Sequence, residues 1–311
     1  MQAQNGAVGV RETTPPRKPR RWKRYLIWYA LIAPNVVLFA IFGLLPMLAT
    51  VVISLTQWNI LGTPHWIGFQ NYQRLVKDPE FWISLRVTVE YVLMFLVPTA
   101  ALALGQAMLL SLARQLQVVF RTIYFVPVVT SVTVIAMIWG WLLIPDQTGP
   151  LNYLLSFAGI PAQGWLQSPV EALPGVAIVA IWTALGYYMV LWLSGLQGIP
   201  RELLDAAEVD GADGWRRFWS ITLPLLKPTT TFIAIIGTIG AFQAFALFYL
   251  LTGGGPLYDT TTIVYFIYQT AFPLQEMGYA SSASIVLIAV ILSVALIQRN
   301  SIGGWSDETY S

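Results

Sequence analysis

The chain has 311 residues, 56% of them apolar or aromatic and only 10% charged, with a formal net charge of +2. Average soluble domains carry roughly 25% charged residues, and no soluble fold of this length could hide so much apolar surface behind so few charges. The chain reads as an integral membrane protein, and a charge balance this close to neutral gives no argument for nucleic acid as a partner.

Several chemistries fall at the same step. There is no cysteine, so there is no disulfide framework, thiolate metal site or thiol nucleophile. A single histidine, His65, excludes a two-histidine zinc site, and no metal site is expected. None of the four lysines (Lys18, Lys23, Lys77, Lys227) follows a glycine, so the chain carries no phosphate-binding loop of its own. No nucleophile–base pair is visible, and no catalytic residue or cofactor is assigned to this chain.

Residues 1–24 hold seven basic side chains and one acid, Glu12, among Pro15, Pro16 and Pro19, the composition of a disordered cytoplasmic tail. The apolar block that follows is too long for a secretory signal and is expected to stay as an uncleaved first span. Bilayer-crossing helices need about 20 mostly apolar residues. Six stretches qualify: Tyr25–Leu55, Leu85–Leu112, Ile123–Ile144, Leu173–Leu196, Thr229–Leu251 and Gly278–Ile297. They are read as continuous α-helices, because lipid gives the backbone no partners outside its own segment and the alternation of a barrel strand is absent. Pro34 and Pro46 allow the first to kink. The expected architecture is an all-α polytopic membrane protein with a six-helix domain over 25–298 and a C-terminal tail over 299–311.

Orientation follows from the basic residues. With the N-terminus inside, the tail, the 113–122 turn, the 197–228 loop and the C-terminus hold every Lys and Arg except Arg74, Lys77 and Arg86. The positive-inside rule then places both termini in the cytoplasm. Two outer loops are rich in aromatics: 56–84, with Trp58, Trp66, Phe69, Tyr72, Phe81 and Trp82, and 145–172, with Tyr153, Phe157 and Trp165. They suit an interfacial aromatic belt, or a landing surface for an extracytoplasmic partner.

One loop differs from the rest. Five of the fifteen acids, Glu202, Asp205, Glu208, Asp210 and Asp213, fall between the fourth and fifth spans. Pro200 suits the first helical position, Leu203, Leu204 and Ala207 share one helical face, and Gly211 is a C-terminal stop. Asp213 can cap a second short helix carrying Trp215, Phe218 and Trp219, after which Pro224 restarts the path into the membrane. The loop could lie on the lipid as an interfacial helix. Its carboxylates would then face an anionic leaflet that attracts basic segments, so docking into another protein's groove is favoured.

The order Asp205-Ala206-Ala207, Asp210-Gly211-Ala212, Phe218 and Ile221-Thr222-Leu223-Pro224 resembles the EAA loop of ABC-importer permeases, in its carbohydrate-importer form. Further matches run along nearly the whole chain: Ala33-Pro34, Gly68-Phe69-Gln70-Asn71-Tyr72, Phe125-Val126-Pro127, Gly149-Pro150-Leu151-Asn152, Gly195 through Pro200, and Leu251 through Pro256. The resemblance implies a maltose-type, six-span permease of the type I importer fold in a prokaryotic inner membrane. It implies that the loop about 199–228, through Asp205, Ala206, Ala207, Asp210, Gly211, Ala212, Leu223 and Pro224, is a coupling helix seated in an ATPase subunit. The implied partners are a second, homologous permease, two ATPases that hold ATP and magnesium, and an extracytoplasmic sugar-binding protein. Asp205 departs from the usual Glu, keeping the charge and losing one methylene.

Sugars bind by stacking on aromatic faces and by hydrogen bonds to amides and hydroxyls. Trp182 through Tyr188 and Phe242 through Tyr249 offer that mixture, so Tyr187, Tyr188, Gln243, Phe245 and Tyr249 are the candidates for the substrate pathway. By the family landmarks Tyr188 and Gln243 resemble contact positions, whereas Ala246 stands where many relatives have Asp. Against this, the two tyrosines could pack on the partner permease and Gln243 could bond between helices. An ion-coupled secondary carrier is the alternative, but a carboxylate near the midplane, which costs about 2.5–3.5 kcal/mol on insertion scales, is not found in the fourth or fifth span.

Overall fold

A computed structural model describes residues 21–112 and 117–303. Most of the expected N-terminal tail, the centre of the 113–122 turn and the C-terminal segment from 304 onward lie outside the described residues. The chain divides into two compact units, residues 1–49 and 50–311.

The first unit carries α1 (Arg21–Phe39), a π-helical turn over Ala40–Leu44 and the beginning of α2 (Leu45–Ser54). The π turn ends two residues before Pro46, and widening the helix by one residue is a way of absorbing a missing backbone donor and a bulky ring. The expected kink is thus a change of winding that keeps the helix running.

The second unit opens with a short hairpin in which β1 (Thr56–Gln57) pairs antiparallel with β2 (His65–Trp66), Thr56 opposite Trp66. Then come α3 (Gln70–Lys77), α4 (Pro79–Leu112), α5 (Gln117–Val129), α6 (Val132–Leu142) and α7 (Pro150–Ser156). α8 (Ala172–Gln197) is followed by α9 (Arg201–Val209), α10 (Gly214–Arg217) and α11 (Leu223–Leu225). The chain ends in α12 (Lys227–Phe242), α13 (Ala246–Leu251), α14 (Ile263–Ala271) and α15 (Met277–Gly303). α1 starts at Arg21 and α15 runs to Gly303, so both end helices extend past the expected limits of the membrane domain into the basic flanks.

Among the described residues four runs are long and apolar enough to cross a membrane: Trp28–Ser54, Pro79–Ser111, Ala172–Gln197 and Met277–Ser301. The third and fifth expected spans are not continuous. α5 and α6 meet at 95° inside the third, while the helical stretch Gly214–Leu225 meets α12 at 65° just before the fifth begins. At the first break Pro127 lacks a backbone donor, the Thr130 hydroxyl donates back to the Val126 carbonyl at 2.7 Å, and Ser131 turns extended (ψ 132°) to cap α6. α12 stops again at Phe242, and Phe245 (φ −134°, ψ −55°) leaves the helical path before α13. A uniformly apolar run conceals such breaks.

The core lies among α4, α8, α12, α13, α14 and α15, with Met189, Ile233, Phe248 and Ile263 fully enclosed. Rings interlock there edge to face: Tyr91 with Phe248 at 4.8 Å and Phe95 with Tyr188 at 6.2 Å. Arrangements of this kind contribute about 0.5–1.5 kcal/mol each beyond area burial.

Candidate functional site

The acidic loop folds as the helix–turn–helix read from its sequence. Pro200 sits one place earlier than expected, as the residue before α9 with extended backbone (ψ 130°), because its own carbonyl opens the helix. Gly211 takes a left-handed conformation (φ +76°), and the Ala212 N–H donates to the Ala207 carbonyl at 2.9 Å, closing the C-terminus. The Asp213 carboxylate accepts from the Arg216 N–H at 2.7 Å and caps α10. Arg217 reaches Glu208 at 3.3 Å across the turn, and a π-helical turn over Phe218–Thr222 leads to Leu223 and Pro224.

Of the expected apolar face only Ala207 is buried; Leu204 is half-buried and Leu203 exposed. Asp205, Ala206 and Asp210 are exposed, as are Val209, Trp215 and Trp219. The knob therefore presents carboxylates and large apolar groups on one small protrusion. One cleft is lined jointly by Met108 and Ser111 of α4, Gln197 of α8, and Asp205 and Phe218 of the knob, which seats the knob at the ends of two long helices.

A second site forms beyond the α12 break. Phe245 stacks on Tyr249 at 5.4 Å and lies 5.0 Å from Tyr268, which in turn meets Tyr249 and Phe272 at 5.4 Å each. Tyr265 completes the group, its hydroxyl donating to the Gly253 carbonyl at 2.7 Å and accepting from Gln269 at 2.9 Å. Tyr249 and Phe272 are about half exposed, so the cluster is a wall with an open face. Gln243, at the break itself, is exposed beside it in the chain.

The sequence candidates therefore separate. Phe245 and Tyr249 join the wall. Tyr188 is only 6% exposed, packed against Phe95 and Tyr187 in the core, while Tyr187 keeps an open face. Tyr265, Tyr268 and Phe272 were missed, because α14 is too short to register as a span. Their spacing of three and four places them on one helical face, a signal that was there to read.

A family model described as "Binding-protein-dependent transport system inner membrane component" matches residues 99–302. The chain is 33% identical over 305 residues to the probable ABC transporter permease protein YesP of Bacillus subtilis, across 97% of this chain and 96% of that protein. It is 33% identical over 285 residues to the sulfoquinovosyl glycerol transport system permease protein SmoG of Agrobacterium fabrum, across 89% of this chain and 92% of the relative. Its fold resembles a chain in the crystal structure of a bacterial ABC transporter involved in the import of the acidic polysaccharide alginate, with a TM-score of 0.80 and 23% identity over 92% of this chain and 98% of the other.

Proposed function

From the premise that this chain belongs to the binding-protein-dependent transport system inner membrane components, we propose that it lines half of a translocation pathway for a carbohydrate. The fold is that of an importer permease, and the chain is a multi-pass membrane protein. Membership of this family speaks against the ion-coupled carrier. The other half of the pathway belongs to a second permease, cargo arrives on an extracytoplasmic binding protein, and ATP with its magnesium is held by two ATPase subunits. Both termini and the acidic knob face the cytoplasm, in keeping with the distribution of Lys and Arg.

The knob supplies the mechanical link. Its two short helices are capped, its exposed rings and carboxylates suit a groove in a partner, and it stands on α4 and α8. Closure of the ATPases displaces the knob, and the displacement passes to the helix ends that carry it.

The observation that carries the carbohydrate reading is the aromatic wall. Phenyl and phenol faces take the apolar faces of a sugar ring, while the hydroxyls of Tyr249 and Tyr268 and the amide of Gln243 bond to its hydroxyl groups. A broken helix leaves backbone groups available where a regular one would not, the usual construction around a transported solute. The test is uptake by vesicles containing the complete complex: Tyr249→Ala raises the KM for the sugar that the binding protein retains, and Tyr249→Phe raises it less. An unchanged KM in both would end this reading.

A further inference from the structure

The wall is built from two chain segments, Phe245 with α13 and the α14 helix, that are joined by a loop, so something must set the angle between them. The Ala244 carbonyl is a backbone acceptor released where α12 ends, and Phe245, the first ring of the wall, is the next residue. That carbonyl accepts a hydrogen bond from Thr262 Oγ1 at 3.1 Å. The same oxygen caps α14, accepting from the Tyr265 N–H at 3.4 Å, and Thr262 has no exposed surface. One enclosed hydroxyl thus donates to the segment carrying Phe245 and Tyr249 and accepts from the segment carrying Tyr265 and Tyr268.

The neighbouring threonines do different work. Thr260 donates to the Gly255 carbonyl at 2.6 Å and Thr261 to the Gly254 carbonyl at 2.9 Å, both within the loop that joins the two segments. Thr88 of α4 accepts from the Ile263 N–H at 2.8 Å, fixing α14 to the core. The contact of Thr262 differs because it acts on the peptide immediately before Phe245. A change in that peptide plane is carried directly to the Phe245 ring, which has only 5.0 Å to its Tyr268 neighbour.

We propose that Thr262 is the positioning residue of the wall: it sets the separation between the rings of the α13 segment and those of α14, and with it the fit of a sugar ring between them. The proposal rests on the reading of the wall as the sugar-contact surface. Its chemistry is specific, because valine has nearly the shape of threonine but can neither donate to Ala244 nor accept from Tyr265, whereas serine keeps both abilities.

The experiment uses the complete complex in vesicles, with the radiolabelled disaccharide that the binding protein retains from a set of maltose, cellobiose and xylobiose. It is paired with a measurement that needs no sugar. The chain has no native cysteine, so spin labels at Leu250→Cys and Leu274→Cys, both on exposed residues, report the distance between the two segments. Thr262→Val leaves the Ala244 carbonyl and the Tyr265 N–H without this partner and is expected to raise KM roughly tenfold, with the maximal rate within about twofold. It also broadens the spin–spin distance distribution, and Thr262→Ser restores both readouts. If Thr262→Val does not assemble, Thr262→Ala takes its place. A normal KM and a normal distribution in the valine variant, with Tyr249→Ala still raising KM, would overturn the positioning role and spare the wall. A fall in maximal rate at constant KM would reduce Thr262 to a purely structural residue and overturn it too. If Tyr249→Ala also leaves KM unchanged while the distribution broadens, the wall reading fails and the proposal falls with it.

Discussion

Gly186 of α8 faces the carbonyl oxygen of Tyr124 in α5 so closely that a Cβ on Gly186 would stand 2.0 Å from it. Both partners at this crossing are backbone, so neither can swing aside as a side chain would. Small residues at helix crossings are how membrane helices gain contact, since lipid supplies little drive to associate. This approach holds the broken α5–α6 element to the long α8.

Gly186→Ala is therefore expected to destabilise the purified protein by about 1–3 kcal/mol, the usual cost of overpacking. Gly105 of α4 makes the control, because a Cβ there meets nothing within 4 Å. Gly105→Ala should be neutral or slightly stabilising, as alanine is favoured over glycine in helices by about 1 kcal/mol. Thermal unfolding in detergent, followed by loss of monodispersity, separates the two.

At Gly211 the constraint is the backbone. A Cβ would meet nothing within 4 Å, but φ is +76°. Gly211→Asn should retain most ATPase stimulation in the reconstituted complex, because Asn tolerates this conformation. Gly211→Val should lose most of it, because left-handed backbone costs other residues about 1–2 kcal/mol and β-branched ones more. Equal activity of the two variants would show that the turn is not held as described.

The Glu208–Arg217 pair is open to solvent. Exposed pairs contribute at most about 1 kcal/mol, so Glu208→Gln should leave ATP-driven uptake within about twofold of the parent. Reversal of charge at Asp205, an exposed carboxylate on the expected docking face, should impair coupling while Asp205→Glu preserves it. Coupled ATPase assays on the complex discriminate these substitutions, and a large loss from Glu208→Gln would contradict this division of roles.

At the N-terminal end of α15, the Tyr279 hydroxyl donates to the Asp78 carboxylate at 2.5 Å while Arg74 lies 4.0 Å over the Tyr279 ring and pairs with Glu276 at 2.8 Å. Asp78→Ala removes the acceptor and should lower stability by about 1–3 kcal/mol, as expected for a hydrogen bond to a charged group. Asp78→Asn keeps an acceptor and should cost less. Denaturation of the two variants side by side checks the order.

Much of this was legible beforehand because the signals were local. The glycine stop at Gly211 and the Asp213 cap depend on a few adjacent residues, and both formed as read. The wall was only half legible. Phe245 and Tyr249 lie in an apolar run long enough to notice, whereas Tyr265 and Tyr268 sit in a helix of nine residues, with Phe272 just past its end, whose purpose appears only when it packs beside α13. Nor could spacing reveal that Tyr188 is enclosed by Phe95 and Tyr187.

By itself the sequence determined that the chain lives in lipid, roughly where its apolar runs lie, and that its acidic loop is a capped pair of helices. Each of those follows from hydropathy or from contacts between near neighbours along the chain. The tertiary structure alone decided where the third and fifth spans bend and which rings share a surface. Those outcomes depend on groups far apart in sequence, such as Gly186 against Tyr124 and Thr262 against Ala244, meeting at distances that no pattern of apolar residues encodes.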